Sequence, residues 1–310
     1  MASQTLAEAK KLISNQIVQG VVEDVISINP LYALLPFTSY AGQGLVVNRE
    51  NALGDAGMYA VDATITNKAA ATFSRVTFTA TKIIGDAEMD GLVQAQSASA
   101  GVDQVAVEVS SKAKSIGRLF QQGMAIGDGV SPNMNSLHTL CDSGQYTTAS
   151  AGQALSFALL DELCDLVKAK DGVVDWIMMA PRTMRAYKVL LRALGGTAAD
   201  WVVTLPDGRT TIGYEGIPIF KNDFMPVTET ANGAALTGGA LTSVWAGCFD
   251  DGSRKIGVSG IYPEGVPAGV QVEYIGGQEN KDSKIWRVKQ YANFASFNRR
   301  GLARLTSINN

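Results

Sequence analysis

The chain has 310 residues, 46% of them hydrophobic and 18% charged, with a formal net charge of −3. That length suits one large domain or two ordinary ones, and the charged fraction lies below the roughly 25% usual in soluble domains. The balance excludes the basic block of a nucleic-acid binder, and no run approaches the roughly 18 apolar residues of a membrane-spanning helix. Cys141, Cys164 and Cys248 are widely spaced and odd in number, so they read as buried thiols of a reducing compartment. A surface this poor in charge is expected to be covered by partners.

Taken in chain order, residues 3–28 place Leu6, Ala9, Ile13, Ile17, Val21 and Val25 on one helical stripe behind a Ser3 or Thr5 cap. Asn29-Pro30 stops it. The opening residues lack the apolar centre of a signal peptide, which predicts a cytosol-like environment. The next segment, LYALLPFTSYAGQG, is apolar but broken by a proline and two glycines. Residues 1–40 are therefore expected to form an arm lying on something else, such as a neighbouring subunit.

Residues 45–84 read as β structure, with a return starting near Ala63–Thr66. The run from Thr72 to Ile84 alternates, with Phe73, Arg75, Thr77 and Thr79 on one face and Val76, Phe78 and Ala80 on the other. Residues 45–72 hold Thr, Ala and Gly but few large apolar side chains. They can bury little surface alone, which predicts a long hairpin packed on other chains. A short helix is expected at 88–96, then a long one over 102–126. Its stripe is Val102, Val105, Val109, Ala113, Ile116, Phe120 and Met124. Gly127-Asp128-Gly129 ends it.

Downstream, a helix is expected over 155–170, a buried strand over 175–180, and a helix over 182–194 opened by Pro181 and ended by Gly195-Gly196. A turn into a strand follows at 214–220, another strand at 241–249, and tail strands at about 255–261, 270–276 and 284–297. This order gives an α+β fold, with a compact α/β segment at 150–250 inserted between elements of a second sheet.

Catalytic patterns are weak. His138 is the single histidine, and Cys141 and Asp142 beside it make no triad without a fold that converges them. The stretch from Gly123 to Gly129 follows a helix and lacks the Lys-Ser/Thr of a phosphate loop. Asp161, Glu162 and Asp165 fall on the polar face of a leucine-striped helix. No spacing suits zinc or calcium, and no cofactor is expected. Arg254-Lys255 and Arg299-Arg300 are small basic clusters that can bridge to a neighbour's acids.

Together these residues resemble the major capsid proteins of tailed bacteriophages, the Hong Kong 97-like fold shared with encapsulins. The marks are the long helix with its Gly-Asp-Gly turn, the Trp176–Thr183 strand-to-helix joint, Tyr214-Glu215-Gly216-Ile217-Pro218-Ile219, Phe249-Asp250-Asp251-Gly252 before Ile256-Gly257-Val258, and Gln290–Ala295. The resemblance implies an N-terminal arm at 1–40 and an extended β-hairpin loop at 41–75. A peripheral domain would comprise 76–139 and 251–310, with the spine helix 102–126, and an α/β axial domain would span 140–250. It implies a non-enzymatic coat protein that assembles with itself into hexamers and pentamers of an icosahedral shell enclosing double-stranded DNA. The setting implied is the virion capsid, assembled in the bacterial host cytoplasm. Scaffolding, portal and decoration proteins are the further partners, with DNA touched only weakly and non-specifically and no membrane. For a full gene product with no long charged segment before the arm, the resemblance implies a separate scaffolding protein or none. Expected intersubunit contacts are Leu34, Leu35, Phe37, Arg49, Glu50, Met58, Tyr59, Lys68, Arg254 and Arg299. No motif supports a Lys68–Asn298 cross-link. Two other readings stay open, an encapsulin-like compartment and a soluble α+β enzyme with a site in 140–250.

Overall fold

A computed structural model describes residue 31 and residues 34–99, 103–195, 201–206 and 208–310. The expected helix over 3–28, Val102 and Gly196 lie outside these residues. Helix α1 is Gly91–Ser99 and α2, the long helix, is Gln104–Ile126. Asp103 caps α2 by accepting the Ala106 N–H at 3.1 Å. At 1.5 Å per residue its 23 residues run about 35 Å. The predicted stripe faces inward: Ile116, Phe120 and Met124 are buried, with Val109 and Ala113 half-buried on the same core.

Two glycines end α2 for different reasons. A Cβ at Gly127 would lie 2.3 Å from the Met134 carbonyl oxygen, so close backbone approach excludes any side chain. Gly129 has φ +71°, and its N–H donates to that same oxygen at 3.0 Å.

Helix α2 packs on a sheet ordered β1 (Phe37–Tyr40), β11 (Val258–Pro263), β13 (Lys281–Ser296) and β12 (Gln271–Gln278), with β4 (Thr81–Asp90) on the other side of β13. The helix expected at 88–96 is corrected: residues 88–90 are strand, and α1 starts at Gly91. Pairing with β13 decides this. Arg287 donates to both Asp86 carboxylate oxygens at 2.8 and 2.9 Å, and Ser283 donates to Glu88 at 2.9 Å. Asp90 then caps the helix by accepting the Leu92 N–H at 2.9 Å.

β1 runs parallel to β11, with Phe37 opposite Gly260. Leu31 and Leu35 are buried in the α2 core, and Leu34 and Phe37 are half-buried against it. The described end of the arm thus packs on its own chain.

Strands β2 (Leu45–Ala52) and β3 (Thr72–Phe78) form a separate antiparallel hairpin. The alternation of β3 is as read from the sequence, with Val76 and Phe78 inward and Phe73, Arg75 and Thr77 outward. The return does not begin at 63–66; the strand starts at Thr72. Phe78, with Leu45, Val47 and Val76, roots the hairpin against Tyr40, Ile261 and Phe297.

The third sheet has seven strands, ordered β5 (Tyr146–Gln153), β14 (Leu302–Ile308), β10 (Thr242–Gly247), β6 (Trp176–Met179), β9 (Ile217–Lys221), β8 (Thr210–Tyr214) and β7 (Val202–Thr204). Strand β6 is apolar throughout because both its faces are covered. Ile177 and Met179 meet Leu160, Leu163 and Tyr187 of α4 (Phe157–Leu166) and α5 (Pro181–Ala193), after the one-turn helix α3 (Leu137–Leu140). Trp176 and Met178 face the core shared with α2. Strands β8 and β9 join through Glu215 and Gly216, both at positive φ, the two-residue turn whose twist matches a hairpin.

Two expectations are corrected here. The helix over 155–170 stops at Leu166, and Lys170 and Asp171 take left-handed φ values of 49° and 57°. Leu302–Ile308 lies between β5 and β10, so the end of the 251–310 segment joins the sheet of the 140–250 segment.

Candidate assembly surface

Beyond its root the hairpin leaves the body of the chain. Residues 51–70 are exposed except for half-buried Asn67. The loop is ordered by its own polar groups. The Asp55 N–H donates to Ala69 O at 2.9 Å, Asn67 Nδ2 donates to Asp55 at 3.0 Å, and the Tyr59 hydroxyl accepts the Thr66 and Asn67 N–H groups. Its large apolar side chains have nothing of their own chain to cover them: Met58 is fully exposed, Val61 94% and Leu53 79% exposed, with Ile65 and Phe73 also open. Apolar side chains concentrated on a projecting loop mark a contact surface.

Where the hairpin meets the body, a cleft of about 810 Å³ gathers cations from three segments. Arg49 comes from β2, Arg254 and Lys255 from the turn before β11, and Arg299 and Arg300 from the turn before β14; Glu50 and Asp142 also line it. Arg49 is half-buried. Its Nε donates to Phe297 O at 3.1 Å and its Nη2 to Ser296 O. Burial, with the nearby Arg299 guanidinium, lowers its pKa, against the pull of Asp142. Arg299 pairs with Asp142 at 3.0 Å. Among the described residues no carboxylate pairs with Arg254, Lys255 or Arg300.

The ten residues expected at contacts therefore fall into three groups. Leu34, Leu35 and Phe37 pack on the chain's own core, Leu35 buried there and Leu34 and Phe37 half-buried. Met58, Tyr59 and Lys68 lie on the exposed loop, and Arg49, Glu50, Arg254 and Arg299 converge on the cleft. Leu53, Val61, Ile65 and Phe73 were missed, although Phe73 stood out as the one large apolar residue on the polar face of its strand. Strand β12 was expected, but not as an open edge that could make contacts; Val272, Tyr274 and Ile275 are exposed along it.

Elsewhere the polar chemistry is closed in. Arg304, 2% exposed, donates to Glu229 at 3.0 Å and to Ser243 Oγ at 3.0 Å, and stacks over Trp245. His138 meets the Trp245 ring edge-on, with Nε2 3.7 Å from Glu229. Burial and Arg304 push its pKa down to about 3, so it is neutral at physiological pH. Burial raises Cys141 and Cys164 to about 12 and Cys248 to about 11, leaving them as inert thiols, and all three are free. Among the described residues no three His, Cys, Asp or Glu side chains gather to hold a metal, and no helix is long and apolar enough to cross a membrane.

No protein-family model matches the sequence, and neither does any curated protein. Solved structures do match it. The holo-SrpI encapsulin complex of Synechococcus elongatus superposes at TM-score 0.71 and 17% identity, covering 99% of this chain and 96% of that one. The capsid of a native GTA particle gives 0.68 at 14%, covering 99% of each. A Phage G structure of major capsid and decoration proteins gives 0.60 at 12%, covering 99% and 100%. The chain has the Hong Kong 97-like capsid fold. These matches cover 96% or more of each chain compared, so the likeness extends over the whole fold.

Proposed function

We propose that this chain is the coat subunit of a closed protein shell. The observation that carries the reading is the hairpin, which projects exposed apolar side chains that serve no purpose in a monomer. A shell needs heterologous contacts that repeat about symmetry axes, and obligate interfaces bury about 2,000–5,000 Å². A loop reaching over a neighbour supplies such area. The axial, peripheral, loop and arm divisions expected from the sequence fit this use, with Leu302–Ile308 moved to the axial sheet.

Within this reading the subunits form hexamers and pentamers of an icosahedral phage capsid around double-stranded DNA, and the chain acts structurally rather than as an enzyme. Assembly takes place in the host cytoplasm, with scaffold, portal and decoration proteins as the further partners. The mildly acidic balance suits a container that must release its genome, since it holds DNA weakly. An encapsulin-like compartment is the second reading, favoured by the SrpI match.

The test is negative-stain electron microscopy of the chain expressed alone and with a scaffold candidate. Closed shells or sheets of hexameric rings support the coat reading, and packaged DNA or co-purifying protein cargo separates phage capsid from compartment. A chain that stays monomeric with scaffold and across salt and pH overturns it.

A further inference from the structure

The cleft at the hairpin base holds more positive charge than its own chain neutralises. Five cations line it against two carboxylates, Glu50 and Asp142, and one of the five, Arg299, already pairs with Asp142. Arg254, Lys255 and Arg300 have no carboxylate partner among the described residues, although the chain as a whole is acidic at −3. This excess is local and assembled by the fold, because its members come from residues 49, 254–255 and 299–300.

We propose that this cleft is an acceptor for carboxylate side chains of a second copy of this chain. The inference rests on the shell reading and deepens it. Three observations favour that occupant. One wall is residues 47–53, most of β2 and the first residue beyond it, so the cleft continues into the exposed hairpin surface through Leu53. A contact made by the hairpin thus brings the same neighbour to the cleft. The space, about 810 Å³, suits a few side chains. A nucleic-acid backbone repeats its charge every few ångströms and calls for an open basic stripe. Here the cations converge, and Glu50 and Asp142 on the walls repel a phosphodiester chain. Guanidinium forks match carboxylates in two-point geometry, and charge pairs at an interface set register and partner choice. The half-buried Arg49, held by the Ser296 and Phe297 carbonyls, gives the floor a fixed charge.

Assembly from an equal mixture of ¹⁴N- and ¹⁵N-labelled chains, followed by zero-length carbodiimide coupling and peptide mass spectrometry, tests this directly. Lys255 is expected to join an Asp or Glu of a different copy, with about half of the linked pairs carrying one label of each kind. The same experiment names the donor segment. In parallel, Arg254→Glu with Lys255→Glu is expected to keep wild-type thermal unfolding, since both side chains are exposed, while assembled yield falls about tenfold or more.

Wild-type yield and salt resistance in that double variant overturn the inference and leave the shell reading standing, as does Lys255 coupling only within its own chain. Retained assembly with lost retardation of duplex DNA makes the cleft a nucleic-acid surface and also overturns it. Failure of the wild-type chain to associate under any condition removes both readings.

Discussion

The Phe120 ring of the long helix lies 4.7 Å from the Phe294 ring of β13. This contact ties the helix to the sheet strand that pairs with β4, β11 and β12. Both rings are fully buried, and the Phe37 ring also lies 6.0 Å from that of Phe120. Phe120→Ala removes the shared ring and leaves a cavity among three elements, so a loss of about 3–5 kcal/mol is expected in urea unfolding. A loss under 1 kcal/mol shows that the site collapses and that the contact does not hold helix to sheet.

Gly127 makes a sharper steric case. A Cβ there would sit 2.3 Å from Met134 O and 2.6 Å from Gly123 O, both backbone atoms that cannot step aside. Gly127→Ala is expected to cost about 1–3 kcal/mol. Gly54→Ala, whose nearest neighbour would be 3.5 Å away on the exposed loop, is expected to stay within about 0.5 kcal/mol. Equal thermal shifts in the two variants contradict the close approach.

The buried pair Arg304–Glu229 couples β14 to the 229–233 segment, since Arg304 also donates to Gly233 O at 3.4 Å. Glu229→Ala leaves a guanidinium buried without its counter-charge and is expected to cost about 3–5 kcal/mol. Replacing both members by apolar residues of similar volume, Arg304→Met with Glu229→Leu, should cost far less, because no orphaned charge remains. Chemical denaturation of the two variants separates these outcomes; equal losses contradict the desolvation argument.

Local periodicity made α2 and β6 legible, because each stripe and run is written within one element. The hairpin was legible from its large apolar residues between 45 and 72, too few to form a core of their own. What failed depends on partners far along the chain. Residues 88–90 read as a helix start, yet Arg287 and Ser283 hold Asp86 and Glu88 in a strand. Leu302–Ile308 was not read as a strand, since the burial of Arg304 is possible only with Glu229 opposite. Arg254-Lys255 and Arg299-Arg300 were visible as pairs, but their convergence with Arg49 exists only once the hairpin docks.

His138 gives a pH dependence with a definite sign. Burial and the Arg304 charge hold its folded pKa at about 3, against the ordinary imidazole value of 6.5. Between those values the unfolded chain binds the proton and the folded one does not, so stability falls as pH drops through that window. One proton gives a limiting slope of about 1.4 kcal/mol per pH unit. The facing groups are Arg304 and Glu229. Burial raises the Glu229 pKa, which acts in the opposite direction on acidification. His138→Gln keeps that opposing effect and removes the imidazole, so urea midpoints measured from pH 7.5 to 5 should fall more steeply for the wild type. Parallel curves contradict a neutral buried imidazole.

The hairpin prediction separates folding from assembly. Met58 and Val61 are almost wholly exposed and touch no core, so Met58→Asp and Val61→Asp should leave the unfolding free energy within about 0.5 kcal/mol of wild type. If these side chains anchor a contact with a neighbour, each buried carboxylate left unpaired at that interface costs about 2 kcal/mol or more per contact. Repeated around a shell, that cost should abolish assembly in sedimentation and electron microscopy. Leu35→Asp is the matching control. Leu35 lies in the chain's own core, so its variant should unfold rather than accumulate as a folded, unassembled subunit. Normal shells from Met58→Asp and Val61→Asp together would take the hairpin tip out of the interface and shift the search for contact area to the open edge of β12, where Val272, Tyr274 and Ile275 stand exposed.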